Sequence, residues 1–257
     1  MVYRRWQQGE LNSYLMGITA DIFLKTDERT GQPLIDVILD RAEQKGTGEW
    51  TAAEALAIQV PALNIDAAVM MRHMSGDKDQ RLAASQSCGE PASAFLGDKQ
   101  AFIDRLENAL YAATLITYAQ GMALLRQASR TYGYELNLET VARIWTGGCI
   151  IRARLLEEIQ SAYRDDPGLV NMLISPPLNK AVDTRLADLR DVVRTATDGA
   201  IPVPGLMMAL TYHDAYRSSW LPANLIMAQR DYFGSHTYRR VDAGGSFHTQ
   251  WNLAQGR

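Results

Sequence analysis

Three short segments of this 257-residue sequence carry residue types that suit an anionic ligand. The first is the run from Gln44 to Thr51 (QKGTGEWT), in which Gly46 and Gly48 flank Thr47 beside Lys45. If a helix follows, its free first amides and the lysine charge favour a phosphate or carboxylate. The run is neither a P-loop nor a dinucleotide fingerprint, because the required final Lys-Ser/Thr and third glycine are missing. An ordinary glycine-rich turn with a helix cap is the alternative.

The second and third segments are centred on arginines. Arg72 follows the apolar residues 67–71, so the pattern predicts a buried arginine whose partner is either a carboxylate of the fold or a bound phosphate. The third segment, residues 229–238 (QRDYFGSHTY), combines Arg230 and His236 with hydroxyl groups, which suits a phosphorylated or carboxylated ligand. A solvated tail with an incidental basic pair is the alternative there.

The other histidines give weaker signals. His73 and His213 lie in predicted helices and are interpreted as structural, and His248 lies near the C-terminus without an evident partner. The sequence contains no His-Glu-x-x-His, no Cys–His ligand set and no Gly-x-Ser-x-Gly, so it predicts neither a metal site nor a serine nucleophile.

Composition narrows the class of protein. Hydrophobic residues make up 47% and charged residues 21% of the chain, as in ordinary globular proteins. The formal net charge of −3 provides no overall positive field for nucleic acid or a membrane surface. Two separated cysteines, Cys88 and Cys149, indicate a reducing compartment, and no apolar run approaches the roughly 18–20 residues of a membrane span. These features predict a cytoplasmic protein.

The elements that must position these segments are helices. Leu11, Leu15, Ile18 and Ile22 share one helix face, and the spacing of Thr51 and Glu54 predicts a capping box. Further helices are predicted over residues 61–74, 102–130 (ended by Gly133), 138–145, 150–163, 178–197, 206–217 and 222–229, with a loop over 86–100.

The sequence therefore predicts an all-α protein, since no run of alternating β-branched segments occurs. Residues 1–219 are expected to form one large multi-helix domain. Residues 220–257 are expected to form an extended C-terminal tail, because they contain many aromatic residues but no helical core face. Such groups need burial, against this subunit or a partner.

These segments occur together, in this order, in 6-phosphogluconate dehydrogenases, which the chain resembles from about Trp6 to Trp251. The matching motifs are QKGTGEWT at 44–51, LLRQA at 124–128, WTGGCIIR at 145–152, LPANLIMAQRDYFGSHTY at 221–238 and FHTQW at 247–251. Several of them are long and made of uncommon residue combinations, so a chance match is excluded.

The resemblance implies an activity and a site. Members of the family oxidise and decarboxylate 6-phosphogluconate to ribulose 5-phosphate and CO₂ with NADP, in the pentose phosphate pathway. They form homodimers in which the C-terminal tail of each subunit inserts into the other. The positions that contact the substrate phosphate correspond to Lys45, Thr47 and Arg72, and those from the partner's tail correspond to Arg230 and His236.

One part of the family pattern is missing from these 257 residues. The family's Rossmann domain, its lysine base and its glutamate acid precede the matched region, so no catalytic residue is expected here. NADP is the cofactor of the full-length family and is not expected to bind well to this chain alone. Glu49 is a smaller departure, since lysine is frequent at that position. The chain is therefore predicted to be the substrate-binding and dimerisation part of the enzyme, inactive alone. The alternative is a standalone, non-catalytic dimeric scaffold or phosphosugar-binding protein.

Overall fold

The structure is a computed structural model that describes residues 2–43, 45–88 and 95–251. It confirms the all-α prediction, because extended pairing within these residues is limited to three isolated bridges. The chain divides into two compact units, residues 1–213 and 214–257. The helices are α1 (Val2–Gln7), α2 (Tyr14–Ile22), α3 (Leu34–Val37), α4 (Thr47–Ala57), α5 (Leu63–Gly76), α6 (Lys78–Cys88), α7 (Lys99–Tyr132), α8 (Leu138–Ile144), α9 (Leu155–Asp165), α10 (Pro176–Asp183), α11 (Leu186–Asp198), α12 (Pro204–Arg217) and α13 (Ala223–Gly234), with a 3-10 turn at Met172–Ile174.

The 34-residue helix α7 is the centre of the first unit. Its N-cap Asp98 accepts from the amide of Ala101, and Gly133 ends it as predicted. Ala109, Ala112 and Ala119 on α7 are fully buried and form part of the main hydrophobic core. Small side chains let neighbouring helices approach closely, and α11 makes the most extensive contact with α7. No helix among the described residues is long and apolar enough to cross a membrane.

A buried amide pair fixes the start of α5. The backbone amide of Asn64 donates to Oε1 of Gln120 at 2.9 Å, and Nε2 of Gln120 donates to Oδ1 of Asn64 at 2.8 Å. The Nδ2 atom of Asn64 also donates to the carbonyl of Gly205 in α12 at 2.8 Å. Because buried polar groups must be paired, this network ties α5 to α7 and α12.

The helix around the glycine-rich run begins earlier than the capping box predicts. Helix α4 starts at Thr47, and the Thr51 hydroxyl donates to the Thr47 carbonyl at 2.8 Å within the helix. Gly46 adopts a left-handed conformation (φ 93°), which turns the chain directly into the helix. The capping-box prediction at Thr51 is therefore wrong, and the glycine-rich run itself forms the helix start.

Other boundaries also differ from the predictions. Helix α6 extends to Cys88, so residues 86–88 are helical where a loop was predicted, and residues 89–94 of that loop lie outside the described residues. The single helix predicted over 178–197 breaks at Thr184 and Arg185 into α10 and α11. Apolar periodicity continues through such a break because both helices bury Leu and Val against the same core.

Helix α2 directs part of its predicted apolar face outward. Met16 and Ala20 are its buried residues, whereas Leu15 and Ile22 are 49% and 41% exposed. The exposed residues Phe23 and Leu24 continue this surface. An apolar helix face left open to solvent is typical of a surface that contacts a partner.

Candidate functional site

The first turn of α4 presents free backbone amides. Its N-cap, Gly46, has no side chain to accept from them, and its carbonyl receives the amide of Trp50 at 2.9 Å. Amides at the start of an eleven-residue helix, together with the helix dipole, favour an anion. Lys45, the residue before this cap, is exposed, as is the first helical residue, Thr47. The turn therefore combines three kinds of donor in one place, and Gln44, which precedes it, lies outside the described residues.

Close packing brings this turn to α5. A Cβ atom added at Gly48 would lie 3.1 Å from Cγ2 of Val69, so only a very small residue fits there. Arg72 follows Val69 by one turn of α5. The start of α4 therefore packs beside the stretch of α5 that precedes Arg72.

The loop that leads into the turn is attached to the end of α5. The amide of Ala42 donates to Oγ of Ser75 at 2.9 Å, and that hydroxyl donates to the carbonyl of Arg72 at 2.7 Å. Asp40 forms ion pairs with Lys78 at 2.6 Å and Arg81 at 3.0 Å. Hydrogen bonds from Lys78 and then Arg81 lower the pKa of the Asp40 carboxyl to about 2. These contacts hold the chain before Lys45 beside the end of α5.

Arg72 differs from its predicted environment. It is exposed, and none of the described residues forms an ion pair with its guanidinium. The prediction that Arg72 is buried among residues 67–71 is wrong, because Val69 is the buried residue of that run and Arg72 points to the surface. An exposed arginine without a carboxylate partner keeps its fork of donors for a ligand.

The second unit carries Arg230 and His236. Arg230 lies in the last turns of α13, which reaches Gly234, so the helix is longer than predicted and Arg230 is not in a loop. His236 follows two residues after the helix ends, and both side chains are exposed. The five predicted contact residues are thus divided between the units, with Lys45, Thr47 and Arg72 in the first and these two in the second.

Asp231 is the central residue of the second unit, and the sequence analysis missed it. Its side chain is fully buried, yet its carboxylate accepts from the amides of Thr237 and Thr249, both at 3.0 Å, and from Nε1 of Trp251 at 2.9 Å. Nδ1 of His248 lies 2.9 Å from the same carboxylate. Three of these partners lie 17 to 20 positions away, so no local pattern reveals the cluster.

The charge on Asp231 is stabilised by these donors. Burial alone raises the pKa of its carboxyl, but the bonds from Thr249, His248 and Trp251 outweigh burial and lower it to about 2. The interpretation of His248 as a residue without a partner is therefore wrong, since its ring is bonded to Asp231.

A paired segment completes the second unit. Tyr238 and Phe247 exchange two backbone hydrogen bonds of 2.9 and 2.8 Å, and the hydroxyls of Tyr238 and Thr249 lie 2.6 Å apart. Next to this pair is a cavity of about 660 Å³, whose lining includes His236, Arg239 and Ser246. Polar and cationic side chains therefore share this concave surface.

The first unit contains a cavity of different character. It measures about 830 Å³ and is lined mainly by apolar groups, among them Leu110, Tyr118 and Trp145. Glu10 is its single charged lining residue, and Leu15 and Ile150 at its edge are 49% and 66% exposed. A phosphate would be repelled by Glu10 and find no cation there, so this cavity suits an apolar partner.

The described residues do not fit a dinucleotide cofactor. A Rossmann-type site requires parallel strands joined through a glycine-rich turn, and these residues form helices with three isolated bridges. No Gly-x-Gly-x-x-Gly occurs in the sequence. Among the described residues there is also no group of three or more His, Cys, Asp or Glu side chains arranged for a metal ion.

Comparison with known proteins identifies the family to which the chain is similar. Residues 1–251 match the family model described as "6-phosphogluconate dehydrogenase, C-terminal domain". A decarboxylating 6-phosphogluconate dehydrogenase of Synechococcus elongatus is 51% identical over 253 residues, which cover 97% of this chain and 54% of that protein. One of Shigella flexneri is 47% identical over 249 residues, covering 97% and 53%. The chain spans about half the length of the curated relatives it matches.

A solved structure shows the same fold. The 6-phosphogluconate dehydrogenase of Plasmodium falciparum superimposes with a TM-score of 0.94 at 42% identity, over 97% of this chain and 54% of that one. Its structures were determined in the apo form, with the cofactor NADP+ and with the substrate 6-phosphogluconate.

Proposed function

Because the chain belongs to the 6-phosphogluconate dehydrogenase family, as its C-terminal domain, we propose that it supplies the substrate-phosphate site and the dimer contacts of such an enzyme. The complete enzyme would oxidise and decarboxylate 6-phosphogluconate to ribulose 5-phosphate and CO₂, with NADP as the hydride acceptor. The Rossmann domain of the family would bind NADP, and the base and acid would come from outside these 257 residues.

One protomer contributes Lys45, Thr47 and Arg72 to the phosphate. The observation that supports this assignment is the close packing of Gly48 against Val69: a Cβ atom added at Gly48 would lie 3.1 Å from Cγ2 of Val69, and Arg72 is one helical turn further along α5. A phosphate dianion is best held by converging cations and donors, and the planar fork of an arginine matches its oxygen geometry. Both cations are exposed and free of carboxylate partners among the described residues.

The second protomer contributes Arg230 and His236 through an exchanged tail. Support comes from the exposure of large apolar side chains in this unit, 73% for Phe233 and 86% for Val241. When two copies exchange tails, each copy buries the exposed apolar side chains of the other copy's tail. The apolar cavity edged by Leu15 and Ile150 offers a further surface for the second copy. The assembly is proposed to act in the cytoplasm, consistent with the free thiols of Cys88 and Cys149.

Calorimetric titration tests the phosphate assignment. The chain should bind 6-phosphogluconate but not gluconate, which lacks the phosphate. Arg72→Ala should weaken binding by about tenfold or more, since a hydrogen bond to a charged group contributes about 1.5–3 kcal/mol. Arg143→Ala, at an exposed arginine of α8, is the matched control and should leave affinity unchanged. Equal losses in the two variants would show only a general charge effect and contradict the proposal.

The alternative is a standalone dimeric scaffold or phosphosugar-binding protein. The apolar cavity and the exposed face of α2 favour an interaction role independent of catalysis. Mixing the chain with the separately purified NADP-binding domain of a relative distinguishes the enzyme hypothesis from the scaffold hypothesis. NADPH formation that appears only in the mixture supports the enzyme half, whereas binding or dimerisation without any turnover favours the scaffold.

A further inference from the structure

Two strained backbone positions flank His236. Ser235 and Thr237 have φ values of 50° and 60°, in the left-handed region that residues with a Cβ atom rarely adopt. Such conformations persist only where the surrounding structure fixes them, and they concentrate at functional sites. These two conformations lower the stability of the folded chain and fix the position of His236, which indicates that this position has a function.

A single residue holds both strained positions. The amide of Ser235 donates to the main-chain carbonyl of Asp231 at 2.9 Å, as the helix cap of α13. The amide of Thr237 donates to the Oδ1 atom of the same residue at 3.0 Å. Asp231 thus accepts hydrogen bonds from the backbone on either side of His236, one with its main-chain carbonyl and one with Oδ1.

The ring of His236 also needs an empty space beside Gly234. A Cβ atom added at Gly234 would lie 2.6 Å from Cδ2 and Nε2 of the ring, which is closer than van der Waals contact permits. The ring of Phe233 lies edge-on at 6.0 Å between centroids. The imidazole therefore folds back over the end of α13 and occupies a defined place.

The remaining donors keep the Asp231 carboxylate away from any ligand. Its oxygens are used by groups of residues 248–251, and the side chain is fully buried. A carboxylate can only accept, so donors that saturate it also screen its charge from a nearby phosphate. Arg230, its neighbour in sequence, forms no ion pair with it among the described residues.

We propose that Asp231 is the positioning residue of the phosphate site: it fixes the turn at 235–237 so that His236 donates to the phosphate without rearrangement on binding. The inference rests on the proposed function for the identity of the ligand and adds the group that organises its second half. Preorganised donors bind more tightly because the cost of ordering them is met during folding.

The first test needs no ligand. Amide hydrogen exchange is followed by NMR in the full chain, in Asp231→Asn and in the control Asp242→Asn, whose carboxylate pairs with exposed Arg240. Exchange at Thr237 should rise at least about tenfold in Asp231→Asn and stay unchanged in the control. Trp251→Phe, which removes one donor to the carboxylate, is the milder variant should Asp231→Asn unfold the unit. Unaltered protection of Thr237 in both Asp231→Asn and Trp251→Phe would overturn the proposal.

The second test is a double-mutant cycle of 6-phosphogluconate affinity. His236→Ala should weaken binding about tenfold, and Asp231→Asn should weaken the native chain similarly but add little in the His236→Ala background. Gly234→Ala should weaken binding, by no more than His236→Ala does, because it shifts the ring and leaves Asp231 intact. Equal effects of Asp231→Asn in both backgrounds would overturn the positioning role. If the native chain binds no 6-phosphogluconate, the proposed function fails, and the exchange data still decide the role of Asp231.

Discussion

The side-chain amide of Gln120 and that of Asn64 are hydrogen-bonded at 2.8 Å across 56 positions of sequence. Gln120 is completely buried in α7, and Asn64 opens α5, the helix that carries Arg72. The pair therefore links the core of the first unit to the helix that carries Arg72, one residue of the proposed phosphate site.

Removal of this amide should destabilise the first unit. Gln120→Ala leaves the polar groups of Asn64 without their partner in a buried place, which costs about 1–3 kcal/mol in the free energy of unfolding. Arg130→Ala, at an exposed position of the same helix, should change it by less than about 0.5 kcal/mol. Urea unfolding followed by far-UV circular dichroism measures both. Equal midpoints for the two variants would contradict the role given to the pair.

Crowding the contact between α4 and α5 should weaken ligand binding. Gly48→Val places methyl groups where Val69 already lies at 3.1 Å from the first added carbon, so the helices must separate. We expect a destabilisation of about 1–3 kcal/mol and a lower affinity for 6-phosphogluconate. Gly76→Ala is the control, since nothing lies within 4 Å of its added carbon. Thermal melting and calorimetry distinguish the two, and normal affinity in Gly48→Val would exclude this contact from the site.

The second unit should become less stable in acid through protonation of Asp231. The pKa of Asp231 is about 2 in the folded chain, below its ordinary value of 3.8. A lowered pKa stabilises the folded state above the ordinary value, and this contribution is lost as the pH falls from about 4 towards 2. The indole N–H signal of Trp251, bonded to Asp231, should shift over that range in an NMR titration. In Asp231→Asn the same signal should show no titration there, and a persistent transition would assign it to another group.

Deletion of residues 232–257 should weaken the dimer. The deleted segment includes the exposed Phe233 and Val241 and the partners of Asp231, and residues 252–257 lie outside the described part of the chain. Loss of this apolar surface removes part of the association energy. Sedimentation velocity at several concentrations measures the dimer constant, and thermal melting measures the accompanying loss of stability. If the truncated chain stays dimeric with an unchanged melting temperature, the proposal that the tails are exchanged is refuted.

Helix type and the main helix were predictable from the sequence. Small and apolar residues at helical spacing gave α7 to within three residues at its start, and Gly133 marked its end. The resemblance likewise rested on long motifs, and the family match over residues 1–251 confirms it. Boundaries failed where two patterns competed. At Thr51, a cap-like spacing lies inside a helix that the left-handed Gly46 had already begun.

The candidate site was only partly predictable. The glycine-rich run indicated an anion site by its own composition, because free amides and a lysine are local properties of a helix start. Arg72 was predicted to be buried, since a one-dimensional apolar run does not tell which residues of a helix face inward. Asp231 gave no signal, because its donors come from residues 248–251.

The sequence by itself determined that the chain is helical and which residues are proposed to bind an anion. Periodicity, caps and charged groups act over a few residues, so they are encoded locally. The tertiary structure alone decided that Gly48 packs against Val69, that Asn64 pairs with Gln120 and that Asp231 bonds to Thr237 and to residues 248–251. Those contacts join distant residues, and they form only when burial of the surrounding apolar groups offsets the entropy of closing the loops between them.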